Sequence, residues 1–374
     1  MDNPRIPFLK PHLVELPAYE PLIRSIEQSH IYSNFGPLNT RFETELLGRF
    51  FTGAGALSTV NNATIGLMVA LRLHGLTGRR HVIMPSYTFV ATPLAAMWAG
   101  FTPYFVDVAP DDWALDHDKV TAALQALDGD VAAVMPYATF GNNIDLAFYA
   151  DLERQGIPVV VDAAASLGCF DGNANFGTGF PGLVVYSLHA TKSFPVGEGG
   201  VIYSARTDLI ARLRGMLNFG FDQNRVSAEM GLNGKLPELL AAVGIATLQA
   251  FDAGAMKSRA AAERYIAAFG GPDFARRGWQ TQRLRGDVLR PFFPILTPPD
   301  RPASGVLQHL EAHGIQTRAY FNPTCHQQPA FRDCPHGDLT QTEAMAPRSL
   351  CLPQWNALPQ EDIDRIIGLL ASAA

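Results

Sequence analysis

The chain has 374 residues, of which 47% are hydrophobic and 17% are charged. This is the composition of a globular protein, and the length predicts two domains. Its 29 basic and 35 acidic residues give a net charge of −6 without a basic run, which makes nucleic acid a poor candidate partner.

The sequence shows no sign of secretion or of a membrane span. The N-terminus lacks the long apolar core of a signal peptide, and no run reaches about 18 uninterrupted apolar residues. We therefore expect a cytoplasmic protein that does not bind membranes. The four cysteines form no CxxC pair, so reduced thiols are expected rather than a disulfide framework or a metal site.

Short apolar runs alternate with helical patterns in the first half of the chain. The predicted strands are 81–85, 103–108, 131–136 and 157–162. They are continuously apolar rather than alternating, which indicates a parallel sheet covered on both faces. This pattern predicts an α/β domain.

The pattern changes after Gly182. Two predicted strands, 183–188 and 199–204, are separated only by HATKSFPVGE, which suits a functional loop better than a crossover helix. Further along, we predict a helix near 257–269, a strand within 290–299, a helix at 304–313 and a terminal helix from Glu361. These elements favour a large domain over 1–254 and a smaller α+β domain over 255–374.

Two places in the sequence have residue types that suit a binding site. Asn62 is a good N-cap, and Ala63 and Thr64 after it would let a phosphate approach the start of a helix. Asp162 ends an apolar strand, where open α/β sheets bind ligands. The ordinary alternatives remain open, because such residues often only cap the segment that follows.

Lys192 is the most specific candidate for a functional residue. It follows a predicted buried strand and stands among small residues and glycines. Most lysines are surface residues, but burial would lower the pKa of this one and make its amine a nucleophile for Schiff-base chemistry. Asp162, thirty residues earlier, offers an anion that would keep a pyridinium nitrogen protonated.

Five motifs together resemble the DegT/DnrJ/EryC1/StrS family of sugar aminotransferases. They are NAT (62–64), PSYTFVAT (85–92), VVVDAAASLG (159–168), SLHATKSFPVGEGG (187–200) and GLNGKLPELLAAVG (231–244). The resemblance runs from about residue 33 to residue 363. It implies a fold type I enzyme that depends on pyridoxal 5′-phosphate, with a mainly parallel seven-stranded sheet and a small C-terminal domain. The first 30 or so residues would lie near the substrate cleft.

The resemblance also implies roles for the cofactor site. Lys192 would form the Schiff base, and Asp162 would pair with the pyridine nitrogen. The phosphate would be held by Thr64, the Ala63 backbone and Ser187. Two further positions complete the expected set, with an aromatic ring stacked on the cofactor and an amide from the neighbouring subunit of a homodimer: Phe89 and Asn233.

The substrates follow from the same resemblance. The amino donor would be glutamate, and the acceptor a dTDP-, UDP- or GDP-linked 4-keto- or 3-keto-6-deoxyhexose. The positions expected to line the sugar site are Asn34, Phe35, Gly36, Pro37, His189, Tyr320 and His326. For His189, an orienting role in the loop backbone is an equal alternative.

One residue departs from the family pattern, and several alternative functions remain open. Ala165 stands where many family members have Gln or His, which puts the identity of the acceptor in question. Lys192 disfavours the dehydratase branch, which has histidine there. A cyclitol or sugar phosphate as acceptor, or a regulatory homologue that binds the cofactor without catalysis, are the other possibilities. A Rossmann module is disfavoured because no GxGxxG follows the first strand.

Overall fold

The strands and helices are taken from a computed structural model that describes residues 6–372. The first five residues and the last two, which the predicted domain limits include, lie outside the described residues. The strands are β1 (Ala56–Val60), β2 (His81–Pro85), β3 (Thr102–Val106), β4 (Val131–Val134), β5 (Val160–Asp162), β6 (Phe170–Asp171), β7 (Ala174–Asn175), β8 (Leu183–Ser187), β9 (Gly200–Ser204), β10 (Gln280–Thr281), β11 (Phe292–Leu296) and β12 (Ser349–Pro353).

The helices are α1 (Leu16–Ser29), α2 (Pro37–Phe50), α3 (Ala63–His74), α4 (Ala91–Trp98), α5 (His117–Ala126), α6 (Leu146–Arg154), α7 (Thr207–Met216), α8 (Glu238–Phe269), α9 (Pro272–Arg276), α10 (Ala303–Ala312), α11 (Thr340–Met345) and α12 (Gln360–Ser372).

Seven strands form one central sheet in the order β3-β2-β4-β5-β8-β9-β1. Parallel bridges from Val134 to Val159 and from Tyr137 to Asp162 join β4 to β5. Strand β9 runs antiparallel to both of its neighbours, and the pairs β2–β3, β2–β4 and β5–β8 are parallel. The expectation of a mainly parallel seven-stranded sheet is confirmed.

Both faces of this sheet are buried, which explains its continuously apolar strands. Along β8, Val184 and Tyr186 belong to one core and Val185 to the other, because successive side chains point to opposite faces. Helices α3, α4 and α7 cover the Val185 face. Helices α1, α2, α5, α6 and α8 contribute to the core on the opposite face.

The C-terminal part has its own sheet and core. Strands β10, β11 and β12 are antiparallel, and α10 and α12 bury Leu310 and Ile366 against Phe293 and Leu350. The predicted strand within 290–299 and the helices from 304 and 361 agree with this arrangement.

The helix predicted near 257–269 is only the end of a longer one. Helix α8 has 32 residues and passes through the predicted domain limit at 254/255 without a break. Glycines at 244 and 254 weaken the local helical pattern of α8, so only its last part is predicted from the sequence. At Gly244 the missing side chain has a packing role, since a Cβ there would lie 2.7 Å from Phe42 Cζ of α2.

Helix α8 is also long and apolar enough to cross a membrane by length and composition alone. However, 56% of its most apolar window is buried inside the protein, where it packs against α1, α2 and α12. This burial is what a core helix shows, so its apolar character is a weak indication of a membrane span.

The contact between α2 and α8 leads to a stability prediction. Alanine is ordinarily a better helix former than glycine by about 0.5–1 kcal/mol, but Gly244→Ala would press a Cβ against the fully buried ring of Phe42. We expect this substitution to lower the free energy of unfolding by about 1–2 kcal/mol, the size of an overpacking penalty. Denaturant titration measures it.

The matched control is Gly48→Ala on α2, where a Cβ would meet nothing within 4 Å. This variant should be slightly more stable than the wild type. If Gly244→Ala were stabilised to the same extent, the close packing of the two helices would be wrong.

Candidate active site

Two neighbouring parallel strands bring the main candidate residues to one edge of the sheet. Asp162 ends β5, and it pairs in register with Val185 of β8. Lys192 lies five residues beyond the end of β8, in a turn closed by the bond from Lys192 N–H to the His189 carbonyl at 2.9 Å. The loop is tied further by Ala190 N–H to the Gly197 carbonyl at 2.8 Å. The structure therefore brings Asp162 and Lys192 together, as predicted.

The carboxylate of Asp162 is buried and accepts hydrogen bonds from two groups of the protein. The Thr92 hydroxyl donates to Oδ2 at 2.7 Å and the Ala164 N–H donates to Oδ1 at 3.1 Å. Burial raises the pKa of Asp162, while these two donors and the charge of Lys192 act in the opposite direction. Such a site favours a cation beside the carboxylate, because the pair attracts more strongly where water is excluded.

The pKa of Lys192 is lowered, mainly because its amine is buried, and the nearby carboxylate of Asp162 partly opposes this shift. The residue as a whole is partly exposed, so a ligand can reach it. A lowered pKa leaves more of the amine neutral near pH 7, which is the form that attacks a carbonyl group.

The expected phosphate site fits a cradle at the start of α3. Asn62 caps this helix by accepting a bond from Ile65 N–H at 2.9 Å. Gly200 of β9 pairs with both Val60 and Ser187, so Ser187 lies on the same edge as the start of α3. A Cβ on Gly200 would stand 3.0 Å from the Ala63 nitrogen. The small residues here and the backbone N–H groups at the start of α3 suit an anion.

Two further cofactor positions are placed near this edge. Phe89, in the turn before α4, has 54% of its surface exposed, which leaves its ring available to stack on a ligand. Asn233 is exposed, and its neighbour Gly234 accepts a bond from Asn61 N–H at 2.7 Å. That bond places the 233–234 segment beside the start of α3 in the same chain. The assignment of Asn233 to the partner's site stays a prediction.

The predicted sugar-site turn lies apart from Lys192 in the single chain. Residues 34–37 line an open depression of about 820 Å³ formed by residues 30–37 and Thr40, whereas Lys192 lines a different cavity. The buried carboxylate of Glu238 fixes the turn by accepting from the N–H groups of Leu38 and Asn39, at 2.7 and 2.8 Å. The Arg214 guanidinium stacks 3.7 Å from the Phe35 ring centroid.

The three remaining predicted residues have partners within the protein. His189 shares a bond of 2.8 Å between Nδ1 and the Thr191 hydroxyl, which favours an orienting role in the lysine loop. His326 is held between the Ser86 hydroxyl at 2.7 Å and Glu343 at 3.3 Å. Tyr320 is half-buried, and its carbonyl accepts a hydrogen bond from the Tyr87 hydroxyl. Their roles toward a substrate stay predictions.

Sequence reasoning missed Thr92 and Glu238. Both act across long separations, 70 residues to Asp162 and 200 residues to Leu38, so no local pattern reveals them. Thr92 falls within the PSYTFVAT motif, which was the only available signal. Asp107 is another buried carboxylate with distant partners, because it accepts bonds from the Thr342 N–H and hydroxyl at 2.7 and 2.6 Å.

Comparison with known proteins supports the reading from motifs. The sequence model of the DegT/DnrJ/EryC1/StrS aminotransferase family matches residues 18–371. A Bacillus cereus protein with the provisional name of PLP-dependent aminotransferase is 42% identical, with a TM-score of 0.96 over 98% of this chain and 99% of that one. The structure of DesI with its TDP-sugar product is 30% identical, with a TM-score of 0.86 over 100% and 93%.

A curated relative points the same way. The dTDP-4-amino-4,6-dideoxy-D-glucose transaminase of Escherichia coli is 28% identical over 99% of each chain. The predicted family, the fold type I architecture and the dependence on pyridoxal phosphate are confirmed.

The electrostatic pairing of Asp162 with Lys192 predicts a pH effect. The rate at which the apoprotein takes up pyridoxal phosphate should rise with a midpoint below the ordinary lysine pKa of about 10.4. Asp162→Asn removes the charge that favours the ammonium form, so the midpoint should move lower still. Turnover should fall on the order of 10²-fold, because the ring nitrogen loses its anionic partner.

Stopped-flow absorbance measures the uptake at a series of pH values. Asp171→Asn, an exposed carboxylate nine residues further on, is the control and should change neither quantity. A midpoint that rises in Asp162→Asn, or does not move, would show that Lys192 does not sense this carboxylate.

Proposed function

Because the chain belongs to the DegT/DnrJ/EryC1/StrS aminotransferase family, we propose that it transfers the amino group of glutamate to a nucleotide-linked keto-deoxysugar. The chain is a pyridoxal-phosphate-dependent aminotransferase. The observation that carries the proposal is the buried pair at the sheet edge, where a lysine with a lowered pKa stands beside a buried carboxylate. Transamination needs an amine that moves a proton on the carbon bearing the amino group. It also needs an anion that keeps the ring nitrogen of the cofactor protonated.

The residues divide the work between binding and proton transfer. When bound, the cofactor supplies an aldehyde that carries amino groups and a ring that takes up an electron pair. Lys192 attaches it and, once displaced, moves a proton with its Nζ atom. Asp162 holds the proton on the ring nitrogen. The start of α3 and the Ser187 hydroxyl hold the phosphate, and Phe89 supports the ring face.

The choice of acceptor rests on the named relatives. They include the dTDP-sugar transaminase and DesI described above, together with a GDP-perosamine synthase of Caulobacter vibrioides. A cyclitol or sugar phosphate is the alternative acceptor. Dehydration and a purely regulatory role are disfavoured by Lys192, since neither a histidine-type dehydratase nor a sensor needs an acid–base lysine at this position.

A homodimer with shared active sites is part of the proposal. Three large apolar side chains just before Asn233 are exposed, with 45% of Phe219, 58% of Val226 and 68% of Met230 open to solvent. Exposed apolar groups concentrated on one segment favour a surface that a second subunit covers. The amide of Asn233 would then reach the phosphate in the partner's site.

Chemical labelling and a half-reaction screen test the proposal. Borohydride should fix the cofactor on the peptide that contains Lys192. After glutamate has loaded the amino group, a panel of keto-sugar nucleotides, keto-cyclitols and keto-sugar phosphates is added, and recovery of the lysine-bound cofactor is followed by absorbance. Recovery with a nucleotide sugar alone is expected. Recovery only with a cyclitol or sugar phosphate would replace the acceptor, and labelling of another lysine would end the assignment of Lys192.

Subunit mixing tests the shared site. Lys192→Ala and Asn233→Ala proteins should each be impaired, the first almost inactive and the second at limiting cofactor. After subunit exchange, half of the dimers are mixed, and each has one site with both lesions and one with neither. Activity should therefore rise toward about a quarter of the wild-type value.

The matched control mixes Lys192→Ala with Asp162→Asn. These residues lie at the same sheet edge of one subunit, so every site keeps one lesion and activity should not return. An equal absence of recovery for Lys192→Ala with Asn233→Ala, with exchange demonstrated, would contradict the shared site.

A further inference from the structure

A second feature of the Lys192 region is a positively charged cavity. It has a volume of about 430 Å³ and lies between the lysine loop, α8, the start of β11 and the N-terminal segment. Five basic residues line it: Lys10, His12, Lys192, Lys257 and Arg290. Among residues 6–372, its lining includes no aspartate or glutamate. A cavity lined by these cations is suited to an anion.

Arg290 is the unusual member of this set. Only 4% of its surface is exposed, yet Nε and Nη2 have no hydrogen-bond partner within the described part of the chain. Lys10, His12 and Lys257 are exposed and solvated by comparison. A buried guanidinium without a partner is strongly unfavourable, which points to a ligand that completes it.

The titratable groups that act on the charge of Arg290 are thiols rather than carboxylates. They belong to Cys169 and Cys351, and both are buried. Burial raises the pKa of Cys169 to about 12 and also raises the pKa of Cys351, so both thiols are neutral near pH 7. Burial lowers the pKa of Arg290 to about 10, which still leaves it cationic there.

The backbone of Arg290 is held firmly in place. Its carbonyl accepts from Gln354 Nε2 at 3.1 Å and from the Ser258 hydroxyl at 3.5 Å. The guanidinium carbon lies 5.7 Å from the Phe293 ring centroid. A planar guanidinium matches a carboxylate through two parallel hydrogen bonds.

We propose that Arg290 binds a carboxylate of the amino donor in the cavity beside Lys192. The donor must present its amino group where Lys192 is displaced, and its carboxylates must then be neutralised by nearby cations. A small amino dicarboxylate fits a cavity of about 430 Å³. This assignment rests on the proposed function, because it names the donor subsite of the same reaction.

The test separates binding from chemistry. Glutarate has the carboxylates of glutamate but no amine, so its affinity measured by calorimetry reports on the anion site without turnover. Arg290→Met should weaken glutarate binding on the order of 10²-fold, the effect of removing one partner of a buried charge pair. Arg290→Lys keeps the charge without the planar fork and should lose less, about tenfold.

The two half-reactions then identify the source of the carboxylate. In Arg290→Met, the rate constant for glutamate loading should fall on the order of 10²-fold, while the acceptor half-reaction, started from protein loaded with pyridoxamine phosphate, should change less than about threefold. A loss confined to the acceptor half-reaction would overturn the assignment to the donor. Unchanged glutarate binding in both Arg290 variants would overturn the site itself.

Two controls keep these outcomes interpretable. Lys257→Met removes an exposed cation from the cavity rim and should have a minor effect on glutarate. Thermal unfolding of Arg290→Met without ligand should be unchanged or higher, because an unpaired buried charge is removed. If wild-type protein gave no glutamate half-reaction, the proposed donor would fail, while Arg290-dependent glutarate binding would still establish the anion site.

Discussion

The pairing of β5 with β8 is the constraint on which the site depends. These strands are parallel and in register, so their carboxyl ends stop at the same edge and leave Asp162 and the lysine loop side by side. The antiparallel β9 then returns Gly200 beside Ser187 and Val60. A slip of one residue in β8 would exchange its two buried faces and turn Ser187 away from the start of α3. The apolar cores on both faces thus fix the positions of the polar groups at this edge.

The strands that carry the site could be predicted because their signal is local. The continuous apolar runs 157–162 and 183–188 require burial on both faces, and only a parallel arrangement then brings Asp162 and Ser187 together. Helix α8 was predicted incompletely for the opposite reason. Its glycines weaken the local helical signal, and their tolerance depends on packing against α2, which a single sequence does not display.

Contacts between residues far apart in the sequence could not be predicted either. Glu238 caps α2 from the start of α8, and Thr92 supports Asp162 from α4. Each residue is unremarkable in its own segment and becomes informative only when the fold places it beside an unsatisfied group. Arg290 is similar. The sequence shows an arginine before a Pro-rich strand, and only burial without a partner distinguishes it from a surface residue.

The turn after Asp162 links the cofactor side of the site to Arg290. Cys169 accepts a bond from Leu289 N–H at 3.3 Å, and its thiol faces the Leu289 carbonyl at 3.5 Å and the Ala165 carbonyl at 3.9 Å. The same turn is held tight by Gly168, where φ is +89° and a Cβ would stand 2.5 Å from the Phe251 ring. The small residues of this turn therefore set the distance between the buried carboxylate and the segment before β11. Ala165, with only 5% of its surface exposed, belongs to that packing, so the departure from Gln or His at this position bears on how closely the two segments approach as well as on the space beside the cofactor ring.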